Sequence, residues 1–256
     1  MLLAIDAGNT NITLGIFQGT ELLATWRLAT DRSRTADEYG IQVRNLFELA
    51  GLNFKDVEAI IIANVVPHLH GTLELISDRY LQLAPVFVDH TMKTGLTILY
   101  DNPAELGADR IVDAVAAVEK YGPPCIVVDF GTATTFNAVN AQREFLGGII
   151  APGLMTAANA LFSRAAKLPH VRIEKPQHAI GSSTVAAMQS GLFYGYASMI
   201  DGLIDRVRAE MGGAPKLIAT GGLARLLEHA LENTYVVDES LTLDGLRIVY
   251  EINKPA

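Results

Sequence analysis

The 256-residue sequence predicts an α/β fold made of two halves, each with a mixed sheet flanked by helices. Three observations predict it. Apolar, strand-like runs alternate with stretches of helical periodicity along the chain. The stretch "LLAIDAGNTNITLGIF" (2–17) sets Asp6 and Gly8 between two strand-like runs, and "CIVVDFGTATTFNAVNAQREFLGGII" (125–150) repeats the layout with Asp129 and Gly131, offset by 123 residues. Each hairpin continues into a third strand-like segment, "ELLATWRLAT" (21–30) or "REFLGGIIAP" (143–152), so both halves open with the same meander. The expected halves are 1–115 and 116–256, divided near a helix just before the second loop.

Between the two hairpins the elements follow in order. "TADEYGIQVRNLFELAGL" (35–52) reads as a helix with Ile41, Leu46 and Leu49 apolar. "VEAIIIANVVP" (57–67) is a continuous apolar run, hence a buried strand stopped by Pro67, and "PVFVDH" (85–90) is another short strand. "ADRIVDAVAAVEKYG" (108–122) is an amphipathic helix with Ile111, Ala114, Val115 and Val118 on one face and Gly122 as its stop. "GSSTVAAMQSGLFYGYASMIDGLIDRVRAEMGG" (181–213) is a long helix, capped by Ser182 or Ser183 and ended by the glycine pair. "KLIATGG" (216–222) is a strand entering a double-glycine turn, and "LTLDGLRIVYEIN" (241–253) closes the chain.

Half of the residues are apolar and 19% are charged, an ordinary composition for a globular protein. The four apolar residues before Asp6 are too few for a signal peptide, and no apolar run reaches the roughly 18 residues of a membrane helix. The single cysteine, Cys125, excludes an internal disulfide and fits a reducing cytoplasm, where it reads as a packed small hydrophobe. A net charge of -8 without a Lys/Arg cluster argues against a nucleic-acid surface. His68 and His70 have no cysteine or acidic neighbour to complete a metal site.

A lone D-x-G is ordinary turn chemistry, but two copies in matching hairpins, both rich in small hydroxyl side chains, read as phosphate-binding loops. Glycine lets the backbone approach phosphate oxygens, and N–H groups with Ser/Thr hydroxyls make an anion cradle. An Asp at each strand end can hold hydrated Mg²⁺ or a monovalent cation, and the residues alone do not say which Asp takes which. No G-x-x-x-x-G-K-[ST] is present and neither loop has a lysine, so neutralisation falls to metal ions and N–H dipoles.

"DAGNTN" (6–11), "YDNPAELGADR" (100–110), "DFGTATT" (129–135), "LGGIIAPG" (146–153), "TVAAMQSGLFYGY" (184–196), "TGG" (220–222) and "LTLDGLR" (241–247) together resemble a type III pantothenate kinase, nearly end to end and in order. The resemblance implies two ribonuclease-H-like (actin-like) halves with nucleotide between them, and ATP-dependent phosphorylation of pantothenate at the start of coenzyme A synthesis. It implies ATP contacts from Asp6, Ala7, Gly8, Asn9, Thr10, Asn11, Ile12, Thr13, Thr132, Gly221 and Gly222. Asp6 stands beside Mg²⁺, possible also through water, and Asp129 takes K⁺ or NH₄⁺. Substrate contacts are Tyr100, Gly107, Ala108, Asp109, Arg110 and Thr184, with Asp109 as general base. Read from the residues alone, Asp109 also suits a helix N-terminus, Arg110 also suits pairing with Asp113 or Asp109, and Gly221-Gly222 also suits a plain tight turn. The chain departs from the family pattern at Ser182, where a basic or amide residue is expected. Two alternatives share the fold: another small-molecule kinase of the superfamily, and a regulator of the Bvg accessory factor type.

The 181–213 helix carries an apolar stripe (Val185, Met188, Leu192, Met199 and Leu203, flanked by Phe193, Tyr196, Ile200, Ile204 and Val207) broader than one core contact needs. Gly191, Gly195 and Gly202 each cost roughly 1 kcal/mol inside it relative to Ala. The alternatives are packing on the second sheet and a homodimer. The resemblance implies the homodimer, with the Thr184 segment reaching the neighbour's substrate.

Overall fold

The computed structural model describes residues 1–165, 168–228 and 230–254. In chain order its elements are β1 (Leu2–Ala7), β2 (Asn11–Gln18), β3 (Glu21–Ala29), α1 (Ala36–Leu49), β4 (Ala59–Asn64), α2 (His70–Ile76), β5 (Val86–Phe87), β6 (Thr97–Ile98), α3 (Ala108–Tyr121), β7 (Cys125–Phe130), β8 (Ala133–Val139), β9 (Glu144–Pro152), α4 (Leu154–Arg164), α5 (Thr184–Met211), β10 (Lys216–Thr220), α6 (Ala224–Leu227), β11 (Val236–Val237) and α7 (Leu241–Asn253). They form two compact units. The first holds Met1–Leu96, Tyr100–Ala116 and the segment from Ser240, and the second holds Thr97–Leu99 and Ala117–Glu239.

Each unit is built on one mixed sheet, and the two sheets share a plan. The first runs β3-β2-β1-β4-β5, with two antiparallel pairings followed by two parallel ones. In the second, β9-β8-β7-β10-β11 repeats both order and sense, and β6 adds a strand beside β9. Asp6 sits opposite Thr13 in the first hairpin and Asp129 opposite Thr135 in the second. The first loop is one residue longer, so the offset of 123 holds only as far as the glycines, and Thr13 corresponds to Thr135.

The N-terminus of α1 is fixed by a capping box: the Thr35 hydroxyl accepts from Glu38 N at 3.3 Å while the Glu38 carboxylate accepts from Thr35 N at 2.8 Å. Its buried face is Tyr39, Val43 and Phe47, at four-residue spacing. Ile41 and Leu49, two of the apolar residues named from the sequence, are 54% and 85% exposed. Leu3, Ile5 and Ala7 of β1 and Ile12, Leu14 and Ile16 of β2 pack toward α1 and α2. The opposite sheet face receives α7, where Leu243 lies against Gly15: a Cβ there would come 2.9 Å from the Leu243 side chain, which would have to shift. Leu241, Leu243, Leu246 and Val249 are buried there. The tail therefore completes the first unit, whereas the 116–256 division assigns it to the second half.

In the second unit, Ile126, Val128 and Phe130 of β7, Phe136 of β8, Leu154 and Ala158 of α4, and Leu192, Phe193, Tyr196, Ile200 and Ile204 of α5 share one core. Cys125 is buried, and burial pushes its thiol up to about 12, which keeps it protonated at neutral pH. Among the described residues no helix is long and apolar enough to cross a membrane.

Candidate active site

The first D-x-G loop joins β1 to β2. Gly8 N donates to Asn11 O at 3.0 Å and closes the turn. Thr30, just past β3, pins the loop from the side: its hydroxyl donates to Gly8 O at 2.6 Å and its N–H to Thr10 O at 2.9 Å. Asn9 and Thr10 are exposed, and Asn11 and Thr13 partly so. Directly opposed residues of an antiparallel pair share a face, so the Asp6 carboxylate and the Thr13 hydroxyl stand on the same side of the sheet. Ala7 and Ile12, expected among the ATP contacts, have side chains in the core of the other face, with the residues 0% and 3% exposed. Only their backbone groups remain for a nucleotide.

The segment before α3 gathers the expected substrate residues within the same unit. Asn102 Oδ1 accepts from Ala104 N at 3.3 Å and starts a tight turn over Pro103–Glu105 that delivers Gly107. The Asp109 carboxyl folds back so closely that a Cβ on Gly107 would lie 2.5 Å from Asp109 Oδ1. The same oxygen accepts from Arg110 N at 2.7 Å. Burial raises the Asp109 pKa above the ordinary carboxylate value, and it outweighs the Arg110 backbone hydrogen bond and the Arg110 charge, which act the other way. Arg110 is only 5% exposed. Its Nη1 lies 3.4 Å from the Tyr100 hydroxyl, and its Cζ lies 5.8 Å from the centre of that ring. Ala108 is buried. Tyr100, Gly107, Asp109 and Arg110 thus form a compact group holding an acid of raised pKa next to a buried guanidinium.

The second loop joins β7 to β8. Its backbone is held by α4, since Gly153 N and the Thr156 hydroxyl both donate to Thr132 O, at 3.1 and 2.6 Å. Asp129 is walled by two glycines. A Cβ on Gly131 would lie 3.3 Å from Asp129 Oδ2, and one on Gly221 would collide with Asp129 Oδ1 and lie 2.7 Å from Phe130 N. Gly221 also has φ +87°, so glycine is required there on two counts. Its bare backbone is filled by protein, while Gly222 is exposed. Thr134 and Tyr196 share a buried hydrogen bond. Thr135, across from Asp129, has a buried hydroxyl with no hydrogen-bond partner.

Thr184 stands exposed as the first residue of α5, in the second unit. Ser183, not Ser182, caps this helix, its hydroxyl accepting from Ala186 N at 3.2 Å. His70 stacks on Phe87 with ring centres 4.0 Å apart and, contrary to the expectation of no acidic neighbour, reaches Glu74 one helical turn on at 3.6 Å. Among the described residues no three His, Cys, Asp or Glu side chains gather as a metal site. Thr30, Thr135 and Thr156 were outside the sequence-based expectation. Thr135 alone carried a signal, lying within "DFGTATT", because the other two act only through strands and helices that return to the loops.

The family model described as type III pantothenate kinase matches residues 2–206, a span with both loops, the Gly107–Arg110 motif and Thr184. The chain belongs to that family. A relative from Halalkalibacterium halodurans described by the same words is 50% identical over 253 residues, covering 99% of this chain and 100% of its own. Two solved structures share the fold. One, a conserved putative Baf family transcriptional activator from Campylobacter jejuni, has a TM-score of 0.59 and 21% identity over 98% of both chains. The other, a putative 2-dehydro-3-deoxygalactonokinase from Sinorhizobium meliloti, has a TM-score of 0.58 and 13% identity over 100% of both. At such identities the likeness concerns the fold alone, which is the duplicated α/β plan of actin-like ATPases and sugar kinases. It gives the regulatory alternative no separate support.

Proposed function

We propose that the chain transfers the γ-phosphoryl group of ATP to the hydroxyl of pantothenate, the first step of coenzyme A biosynthesis. One observation carries this reading: membership of the family over a span that contains both phosphate loops and the substrate motif intact. In the proposed step the substrate hydroxyl oxygen bonds to the γ-phosphorus, and the bond from that phosphorus to the bridging oxygen breaks. ADP leaves with the electron pair, and the hydroxyl proton passes to the Asp109 carboxylate. The raised proton affinity of Asp109 suits it to accept that proton in the transition state. Arg110, with its planar fork, takes the pantothenate carboxylate, and Tyr100 lines the same contact.

The Asp6-to-Thr13 loop and Thr132, Gly221 and Gly222 are the proposed ATP contacts. A carboxylate beside a hydroxyl suits Mg²⁺, which keeps most of its waters, so Asp6 would hold that ion. Asp129, with the unpartnered Thr135 hydroxyl across from it, offers the oxygen donors a monovalent cation takes, K⁺ or NH₄⁺. Both ions supply neutralisation of phosphate charge, which loops without lysine need. The proposed working form is a homodimer in the cytoplasm, with Thr184 directed to the partner's substrate.

A coupled ADP-release assay tests the reading, run with pantothenate and a sugar panel, in Na⁺ and then in K⁺ or NH₄⁺. Pantothenate alone should support turnover, rising several-fold with the larger cations, and Asp129→Ala should lose that response. Turnover of a sugar without turnover of pantothenate would overturn the assignment.

A further inference from the structure

Arg110 is a buried cation, and a buried charge needs a fixed partner of opposite sign. The neighbouring Asp109 carboxyl feels the Arg110 charge, and the neutral Tyr100 hydroxyl at 3.4 Å adds a long hydrogen bond. Asp113 lies three residues further along α3, a spacing that puts it on the same helix face, and it is 1% exposed. Its Oδ1 accepts a hydrogen bond from the Thr242 hydroxyl of α7 at 2.7 Å. The approach of α7 is close enough that a Cβ on Gly245 would collide with the Val112 carbonyl. From these contacts we propose that Asp113 and Thr242 are positioning residues for the Arg110 guanidinium, so that α7 helps to shape the pantothenate site. Nothing in α7 need touch the substrate. Its hydroxyl restrains rotation of the Asp113 carboxyl, and that carboxyl restrains a side chain that otherwise has many rotamers. The helix lies beyond the 2–206 span matched by the family model yet within the unit that carries the substrate motif.

The inference rests on the reading that Arg110 binds the pantothenate carboxylate, and its test separates the two. Thr242→Val keeps the shape and removes the hydroxyl, and Thr242→Ser restores it. The Val variant should raise the KM for pantothenate roughly 5–20-fold, since a hydrogen bond to a charged group acts here at one remove. Its kcat and its KM for ATP should stay within about twofold of wild type, and the Ser variant should recover the wild-type KM. An unchanged pantothenate KM in the Val variant would overturn the proposal. So would a parallel loss of kcat, both KM values and unfolding midpoint, which marks a purely structural contact. Arg110→Ala is the reference arm. Should it leave the pantothenate KM untouched, the reading of Arg110 itself falls, and the positioning role falls with it. Should it raise that KM while Thr242→Val does not, only the positioning role falls.

Discussion

Asp109 carries two opposed influences on one carboxyl, and burial prevails over the Arg110 hydrogen bond. The folded state therefore holds the proton to higher pH than the unfolded state. In the window between the unfolded value, 3.8, and the raised folded value, folding binds protons, so this group's contribution to stability falls as pH rises and stays lowered above the window. Activity runs the other way, because a base must be deprotonated. Asp109→Asn should therefore lower turnover by roughly 10²–10⁴ while ATP binding survives, and at neutral pH it should unfold no more easily than wild type. The wild-type kcat/KM should decline on acidification at a pH above the ordinary carboxylate range. A kinetic pH profile with calorimetry on both proteins checks all of this, and near-normal turnover in the Asn variant would remove Asp109 from the mechanism. At this scale the sequence marked the loop at Asp6, but placing Ala7 and Ile12 with the ATP contacts overlooked the strand period that turns both side chains into the core. Gly221 was named as a turn or an ATP contact, but its constraint comes from Asp129, 92 residues earlier in the chain and a neighbour only through the β7–β10 pairing.

Helix α5 separates two features that the sequence presents as one. Its apolar breadth is accounted for within its own unit, because Leu192, Phe193, Tyr196, Ile200 and Ile204 belong to the second core. The glycines are not so accounted for. A Cβ on Gly191, Gly195 or Gly202 would meet nothing within 4 Å, and positions four and seven residues apart fall on one face. Three costly residues aligned on an open face favour a close partner, in keeping with the proposed homodimer. Gly195→Leu should keep the fold, shift the protein toward monomer and lower pantothenate turnover with it. Light scattering beside kinetics tests this, and either a monomeric wild type of full activity or a monomeric variant that retains it would count against the shared site. Elements with local signals were legible: the 35–52 stretch read as a helix and holds α1, and Pro67 was read as the stop of the run that holds β4. Helix α4 was not: Arg164 is its only charged residue, and Gly153 offers no capping side chain to mark its start. The sequence named no buried face for α1, because apolar residues occur on several sides of that helix and only the approach of the sheet selects Tyr39, Val43 and Phe47.

Across the whole molecule, the duplication was readable because both D-x-G hairpins are local and nearly identical in layout. Ownership of the tail was not, since it depends on which sheet face stays open until α7 arrives. That arrangement makes the first unit discontinuous: strands β1 to β4 precede the second unit in the chain, and the helix that covers their second face follows it. A chain ending after Glu239 should leave Leu2, Ala4 and Phe17, all buried in the full protein, without their cover. Limited proteolysis should then degrade the first unit and spare a fragment near 117–239, and equal resistance of the two would refute the point. On the ribosome the same geometry reverses the usual order in which the N-terminal part folds first. The first sheet must wait, half-clad and in need of protection from aggregation, while the second unit is made. The first phosphate loop and the substrate motif belong to the unit whose sheet gains its second cover only once α7 is made, so both depend on the same late helix.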